Sequence, residues 1–274
     1  MSASPSFPPP SAIVCRLRAA GCVFAEDEAQ LLISTARTPA GLAAMVDQRV
    51  AGLPLEHVLG WAEFCGLRIA VDPGVFVPRR RTEFLVHEAA ALAGPRSVVV
   101  DLCCGSGALG AALGAAVEQV ELHAADIDPA AVLCARRNLA AAGGRVYEGD
   151  LFDPLPAALR GRVDVLLANM PYVPTGEIRL LPPEAREHEA RVALDGGADG
   201  LGVLRRVTAA APLWLAPGGH LLFETSERQV PQAVETVTRD GLIARVATSD
   251  ELYATVVIGT RPALQGGTGG HGAG

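Results

Sequence analysis

An apolar run at 163–168 ends abruptly in the tetrapeptide Asn169-Met170-Pro171-Tyr172. The side-chain oxygen of Asn169 and the backbone carbonyl oxygen of Met170 can each accept a hydrogen bond from an amino group. Pro171 has a fixed φ and disfavours helical geometry at Met170, which would present that carbonyl outward. The tetrapeptide therefore predicts a binding site for an NH2 group, although an asparagine that caps a strand and a tyrosine in the core would give the same pattern.

A glycine-rich turn, "DLCCGSGALG", joins the apolar run 97–102 to a helix predicted at 108–116. Its glycines allow a tight turn and the close approach of a ligand to the backbone. The first N–H groups of the helix can bind an anionic group. A turn without a ligand is the alternative, because the three-glycine spacing of a dinucleotide site is missing. We assign these residues to cofactor binding: Asp101, Cys103, Cys104, Gly105, Ser106 and Gly107.

Two further predicted strands end in aspartates. Asp126 lies about 20 residues beyond the glycine turn, where a carboxylate can bind ribose hydroxyls. Asp128 precedes a proline and has the position of a helix N-cap, so Asp126 and Ile127 are the ligand candidates. Asp150 can bind an adenine amino group while Leu151 covers the ring. The alternative for Asp150 is a loop carboxylate in solvent.

Four consecutive predicted strands carry glycines or polar residues at their carboxyl ends: 97–102, 120–126, 145–150 and 162–169. Open α/β sheets bind ligands at that edge. We therefore expect one shared pocket, which would hold an adenosine with its 5′ end on the glycine turn.

These strands alternate with predicted helices, and the alternation indicates an α/β protein with a mostly parallel, doubly wound sheet. The remaining helices are expected at 129–141, 199–214 and 229–239, and the remaining strands at 219–225, 242–248 and 254–260. The short loop between the last two strands predicts antiparallel pairing at one edge. We expect the segment 183–200 to form the wall or lid of the pocket.

The first quarter of the chain has a different pattern. Apolar residues at helical spacing predict three helices in an N-terminal region at 11–63. Alternation around Asp72-Pro73-Gly74 predicts a β-hairpin linker at 64–78, after which the α/β domain would occupy 79–262. The Pro- and Ser-rich segment 1–10 and the Gly-rich segment 263–274 are predicted to be disordered.

Composition narrows the function classes. The formal net charge of −7 argues against a nucleic-acid partner. The run Arg79-Arg80-Arg81 is either a patch for an acidic partner or a solvated loop. The six cysteines form no CxxC pair, so no metal site is predicted. We see no secretory signal and no charge-free apolar stretch of ~18 residues, which predicts a cytoplasmic protein without a membrane partner.

Several long, co-linear motifs between about Leu53 and Ile258 resemble those of the S-adenosylmethionine-dependent protein-(glutamine-N5) methyltransferases, which modify peptide-chain release factors. They include "PLEHVLGWAEFCGLRIAVDPGVFVPRRRTEFLV", "DLCCGSGALG", "ADIDPAAVLCARRN", "GDLFDPLP", "NMPYVP", "VALDGGADGL" and "LAPGGHLLFE". The resemblance implies a Rossmann-like seven-stranded sheet with a small helical N-terminal domain and a β-hairpin linker. It also implies S-adenosyl-L-methionine as cofactor and an exposed glutamine of a protein, such as a release factor, as methyl acceptor.

The resemblance assigns catalysis to Asn169, Met170, Pro171 and Tyr172, with Asn169 and Tyr172 holding the target amide. The turn 103–107, Asp126, Asp150, Leu151 and Asn169 would contact the cofactor. The helical region 11–63 would bind the protein substrate.

Three residues depart from the family pattern: Met170 and Arg80 stand where the family has proline, and Cys103 stands where it has glycine. The helical region is also short. These departures leave open a paralogue with another glutamine-bearing substrate. Further alternatives are an adenine-N6 nucleic-acid methyltransferase, a small-molecule N-methyltransferase and a cofactor-binding scaffold without catalysis.

Overall fold

A computed structural model describes residues 8–263 of the chain. The predicted disordered segments 1–10 and 263–274 lie mostly outside these residues, and Pro10 already begins a helix. Four helices come first: α1 (Pro10–Ala19), α2 (Ala25–Thr35), α3 (Pro39–Val50) and α4 (Leu55–Leu59). The predicted faces of the first three pack together through Ile13, Leu17, Leu32, Leu42 and Val46. The short helix α4 was not predicted.

A two-stranded hairpin follows, formed by β1 (Trp61–Phe64) and β2 (Leu67–Ala70). The prediction of a hairpin at 64–78 is therefore wrong in position. The reversal uses Cys65 and Gly66, which both have positive φ, as a two-residue hairpin turn requires. The predicted turn residues Asp72 and Gly74 instead form a separate turn after β2, closed by a hydrogen bond from Val75 N to Asp72 O.

The rest of the described chain alternates between strands and helices, as predicted. The helices are α5 (Glu83–Leu92), α6 (Ala108–Ala116), α7 (Pro129–Leu139), the short α8 (Pro183–His188), α9 (Gly202–Trp214) and α10 (Val230–Arg239). The strands are β3 (Val98–Leu102), β4 (Glu121–Asp126), β5 (Arg145–Glu148), β6 (Val163–Ala168), β7 (Leu215–Glu224), β8 (Ile243–Ser249) and β9 (Ala254–Thr260).

These seven strands form one sheet in the order β5-β4-β3-β6-β7-β9-β8. Strands β3 to β7 are parallel, whereas β9 runs antiparallel to β7 and to β8. The predicted antiparallel pairing of the last two strands is confirmed. The chain leaves β3 toward β4 and β5 and then returns to β6 on the other side, which makes the carboxyl ends of β3 and β6 the switch point where such sheets bind ligands.

Helices cover both faces of the sheet, so the central strands β3 and β6 are apolar along most of their length, whereas the edge strands β5 and β8 carry exposed and polar residues. Alternation along β3 places Val98, Val100 and Leu102 in the core under α9 and α10, and Val99 in the core under α5 and α6. No helix within residues 8–263 is long and apolar enough to cross a membrane.

Candidate active site

A cavity of about 550 Å³ lies at the switch point. Its walls come from the strand ends, from the linker before α5 and from the segment 181–195, in agreement with the predicted lid. Most of the predicted site residues line it: Cys103, Cys104, Gly105, Ser106, Asp126, Ile127, Asp150, Leu151, Asn169, Met170, Pro171 and Tyr172. Residues distant in sequence are thus brought to one concave surface of the size typical for a small ligand.

Gly105 and Gly107 serve different purposes in the glycine turn. Gly105 has φ +55° and lines the cavity, and a Cβ there would meet nothing within 4 Å. Its bare backbone therefore leaves room for a ligand. Gly107, with φ +77°, does not line the cavity; a Cβ there would lie 3.1 Å from the Cβ of Ala135 in α7. At this residue, which we predicted to contact the cofactor, the turn packs closely against α7.

Cys103 occupies a backbone conformation that favours glycine. Its φ is +53°, in the left-handed region, and its side chain lines the cavity. Leu151, which also lines the cavity, is left-handed as well, with φ +49°. Non-glycine residues in this region store strain, which often accumulates at functional sites. Burial raises the pKa of the Cys103 thiol, so the side chain is a neutral wall of the pocket.

Asp101 does not reach the cavity, contrary to its predicted cofactor contact. Alternation along β3 directs it under α6, where it is fully buried and its Oδ2 accepts a hydrogen bond from Gly110 N (3.0 Å). Its Oδ1 has no hydrogen-bond partner among the described residues. Burial raises the pKa of this carboxyl to about 7, and the charge of Asp126 adds to the shift. Asp101 thus holds the backbone of α6, the helix that follows the turn.

Asp126 joins the turn to the end of β4. Its Oδ2 accepts a hydrogen bond from Gly105 N (2.8 Å) and its Oδ1 one from Asp128 N (2.9 Å). Burial raises the pKa of Asp126, although both amide contacts oppose the shift. A carboxylate has about four lone-pair sites, so acceptor capacity remains toward the cavity. Asp128 caps α7 through Ala130 N, as predicted (2.9 Å).

Asp150 lies at the far wall of the cavity and is paired with a residue that sequence analysis missed. Its Oδ2 accepts a hydrogen bond from Arg206 Nη2 of α9 at 2.6 Å. Arg206 also lines the cavity. The ion pair fixes one oxygen of Asp150 and leaves the other available, so the predicted contact with an adenine amino group is geometrically open.

Asn169 and Met170 present different groups to the cavity. The half-buried carboxamide of Asn169 lines it, and no group within residues 8–263 hydrogen-bonds to that carboxamide. The side chain of Met170 is buried in the core beneath α9. An apolar side chain here therefore fills the core, while the backbone carbonyl is the group of Met170 that can act on a ligand.

Tyr172 is fixed at its hydroxyl end. The hydroxyl donates to Glu224 Oε1 (3.0 Å) and accepts from Arg81 Nη2. Glu224 ends β7 and is buried, and its Oε1 and Oε2 also accept from Arg81 Nε (2.7 Å) and Thr82 Oγ1 (2.6 Å). Burial raises the pKa of the Tyr172 phenol and the Glu224 charge raises it further, so the phenol remains protonated near neutral pH.

The backbone of Tyr172 is also held. Gln229 Nε2 donates to Tyr172 O (3.0 Å) and to Asp199 O (3.2 Å). A Cβ on Gly196 would lie 2.7 Å from Pro171 O, and one on Gly200 would overlap Tyr172 O. The motif "LDGGADGL" therefore packs backbone to backbone beneath the tetrapeptide, because only glycine permits this approach.

The arginine run 79–81 is divided between the cavity and the surface. Arg79 Nη2 binds Glu189 Oε1 of the lid, and Arg81 binds Glu224. Glu189 and Glu224 are buried, and both arginines line the cavity. Arg80 is exposed and does not line the cavity. Two of the three arginines thus belong to the site.

The N-terminal helices contact the same cavity. Pro54 and Glu56 line it, and buried Arg49 of α3 binds both Glu28 of α2 (2.6 Å) and Glu184 of the lid (2.5 Å). This ion-pair cluster connects the helical region to the lid.

Glu224 and Gln229 were missed for different reasons. Glu224 ends a predicted strand, "GHLLFET", and the rule that selected four polar strand ends would have selected it as well. Gln229 carries no local signal, because its partners lie 57 and 30 residues away in sequence.

Comparison with known proteins gives consistent results. Residues 66–194 match the family described as methyltransferase small domain. The chain is 38% identical to a release factor glutamine methyltransferase from Geobacter sulfurreducens over 219 residues, which are 79% of this chain and 76% of that protein.

A second relative is named for a different activity. A 4-amino-L-phenylalanine/4-methylamino-L-phenylalanine methyltransferase from Streptomyces pristinaespiralis is 37% identical over 192 residues, or 68% of this chain and 65% of that protein. Among solved structures, a methyltransferase from Pyrococcus furiosus superposes with a TM-score of 0.55 at 17% identity, covering 72% of this chain and 90% of that one. That similarity supports the fold.

Proposed function

The chain belongs to the release factor glutamine methyltransferase family, and from that membership we propose that it transfers a methyl group from S-adenosylmethionine to the side-chain amide nitrogen (N5) of a glutamine in a peptide-chain release factor. One observation carries the proposal. The Asn169 carboxamide and the glycine turn at Gly105 line the same cavity. A group held by Asn169 and a ligand bound on the turn would therefore share one pocket.

The residues present fit S-adenosylmethionine. Gly105 leaves open space over the backbone, and Asp126 retains acceptor capacity for ribose hydroxyls. Asp150 and Leu151 border the place expected for an adenine. When bound, this cofactor supplies an electrophilic methyl group on a positively charged sulfonium.

The acceptor side requires orientation more than a strong base. A carboxamide nitrogen is a poor nucleophile because its lone pair is delocalised into the carbonyl. Asn169 Oδ1 can accept one N–H of the acceptor amide and Met170 O can accept the other. These two contacts fix the nitrogen and increase its electron density, and the Tyr172 ring covers the amide plane.

Positioning of this kind can lower a barrier by several kcal/mol. The nitrogen becomes acidic as its new bond forms and can release a proton to water, so no dedicated base is needed. The raised pKa of Tyr172 agrees with a role in orientation, because a protonated phenol near neutral pH is a poor proton acceptor.

The helical region is proposed to hold the protein substrate. It lies beside the cavity through Pro54 and Glu56, and Arg49 connects it to the lid. A release factor bound to these helices would have to insert a glutamine side chain between the lid and the linker.

Methyl transfer to a purified bacterial release factor tests the proposal. The chain is incubated with labelled S-adenosylmethionine and release factor, and the modified residue is mapped by mass spectrometry. We expect the label on a glutamine side chain, and none with a release factor in which that glutamine is replaced by alanine.

A small-molecule acceptor is the second candidate, favoured by the relative that methylates 4-amino-L-phenylalanine. The same assay with that amino acid as acceptor separates the two. Label in the aryl amine and none in the release factor would overturn the glutamine assignment.

A further inference from the structure

Arg81 has a distinctive position at the acceptor end of the cavity. Its Nε donates to Glu224 Oε1 at 2.7 Å and its Nη2 donates to the hydroxyl of Tyr172. The third nitrogen, Nη1, has no hydrogen-bond partner within residues 8–263. The side chain lines the cavity and is 49% exposed, so this nitrogen can reach a ligand.

Glu224 holds the guanidinium in place. Its side chain is only 4% exposed and accepts hydrogen bonds from Arg81, Thr82 and Tyr172. The register of the sheet explains its location, because Leu167 of β6 pairs with Leu222 of β7. Two residues further along, Asn169 and Glu224 come level at the carboxyl edge. Arg81 is therefore anchored beside the strand end that carries Asn169.

A carboxamide acceptor makes a demand that the tetrapeptide does not meet. Asn169 Oδ1 and Met170 O are acceptors for its two N–H groups, whereas its carbonyl oxygen needs a donor. The hydroxyls of Tyr172 and Thr82 already donate to Glu224. Among the side chains that meet at Glu224, Arg81 Nη1 is a donor that remains unused.

We propose that Arg81 binds a carbonyl oxygen of the acceptor and selects acceptors that carry an amide over simple amines. Glu224 and Tyr172 act as positioning residues that orient the guanidinium. The inference rests on the proposed glutamine acceptor and adds the residue that recognises its amide. An aryl amine has no carbonyl beside its nitrogen and would not engage Arg81.

The role of Arg81 in binding the acceptor is tested by steady-state kinetics with purified release factor. Arg81→Gln should raise the acceptor KM or lower kcat/KM by about 10- to 100-fold, the effect of losing a charge-assisted hydrogen bond. The KM for S-adenosylmethionine should not change. Arg80→Gln is the matched control, because it removes the same charge from an exposed position outside the cavity.

The double variant Arg81→Gln/Glu224→Gln separates recognition from structure. Arg81→Gln alone leaves a buried carboxylate without its cation, which can destabilise the fold. If Arg81 only neutralises Glu224, the double variant recovers wild-type kinetics. If Arg81 binds the acceptor, the double variant folds with wild-type affinity for S-adenosylmethionine and stays as impaired as Arg81→Gln.

Each outcome has a defined meaning. An active wild type with impaired Arg81→Gln and impaired double variant supports the proposal. Equal kinetics for Arg81→Gln and Arg80→Gln, or recovery in the double variant, overturns it and leaves the proposed function intact. A wild type that transfers no methyl group to the release factor overturns the proposed function and this proposal together.

Discussion

The two ends of the cavity are built in different ways. At the cofactor end, the glycine turn is held by Asp126, which lies 21 residues from Gly105 and ends the next strand along the chain. At the acceptor end, Tyr172 is held by Arg81 and Glu224, which lie 91 and 52 residues away in opposite directions along the chain. The glycine turn and Asp126 belong to a single βαβ unit, whereas Tyr172 and its partners come from the linker and from the ends of two strands.

Because of this difference, we expect substitutions at the two ends of the cavity to have different effects. At the cofactor end, the glycine turn and Asp126 depend on backbone conformation and on residues that are close in sequence, so their spacing is recognisable in the sequence. The acceptor end depends on a network of polar side chains from distant segments, where loss of one member leaves buried partners unsatisfied. We therefore expect changes at the acceptor end to have larger effects on turnover, and changes at the cofactor end to appear mainly as lost affinity.

The largest effect is expected for Gly200→Ala. This residue has φ +77°, and a Cβ would overlap the carbonyl oxygen of Tyr172. The left-handed backbone and the overlap together should cost more than about 3 kcal/mol of unfolding free energy or displace the tetrapeptide. Denaturant unfolding and methyl transfer measure the two outcomes. Gly94→Ala is the control, since a Cβ there meets nothing within 4 Å; equal behaviour of the two variants would show that the backbone clamp has no function.

Asn169→Ala should come next. Removing one preorganised polar group is expected to lower kcat by roughly 10²–10³-fold, while calorimetric titration should show nearly unchanged affinity for S-adenosylmethionine. Asn169→Asp keeps an acceptor oxygen and should retain more activity than the alanine variant. Near-normal turnover of Asn169→Ala would remove this residue from its proposed role.

At the cofactor end, Asp126→Ala should weaken S-adenosylmethionine binding by roughly 1–3 kcal/mol. The variant loses both the proposed ribose contacts and the hydrogen bond to Gly105 N. Asp128→Ala is the matched control: it removes the cap of α7 and should lower stability by about 1 kcal/mol without changing affinity. Isothermal titration measures the affinity of both variants for S-adenosylmethionine. Equal affinities of the two variants would contradict the assignment of Asp126.

The smallest effect concerns Asp101 and pH. Its folded-state pKa of about 7 lies above its ordinary value of 3.8, so the folded protein binds more protons than the unfolded chain between these values. Stability therefore decreases as pH rises through about 7. From pH 6 to pH 8 this group should remove about 1.4 kcal/mol.

Thermal unfolding at pH 6 and pH 8 measures that loss. Asp101→Asn cannot titrate, so the pH-dependent part assigned to Asp101 should be absent from this variant. A pH dependence identical to that of the wild type would place the titrating group elsewhere.

Much of the α/β part followed from the sequence. Short apolar or alternating runs predicted each strand of the seven-stranded sheet to within a few residues. The central strands were the clearest, because strands covered on both faces are mainly apolar. The hairpin was misplaced because Asp72-Pro73-Gly74 is a strong turn signal, whereas Cys65-Gly66 is a weak one. Both segments do turn, and tertiary pairing decides which turn joins the strands.

The residues of the site divide in the same way. The strand-end rule placed Asp126, Asp150 and Asn169 at the cavity. Asp101 was assigned together with the glycine turn, and strand alternation directs its side chain beneath α6. The glycine pattern likewise did not distinguish Gly105, which faces open space, from Gly107, which packs against α7.

The sequence alone was enough to predict the sheet, the glycine turn and the tetrapeptide, because hydrophobic periodicity and turn chemistry are local properties. The pairing of Arg81 with Glu224 and the contact of Gln229 with Tyr172 were decided only by the folded chain. These contacts join groups 143 and 57 residues apart, and no local pattern records which buried polar group will find which partner. Folding stabilises these pairs because a buried donor or acceptor without a partner costs free energy once water is excluded.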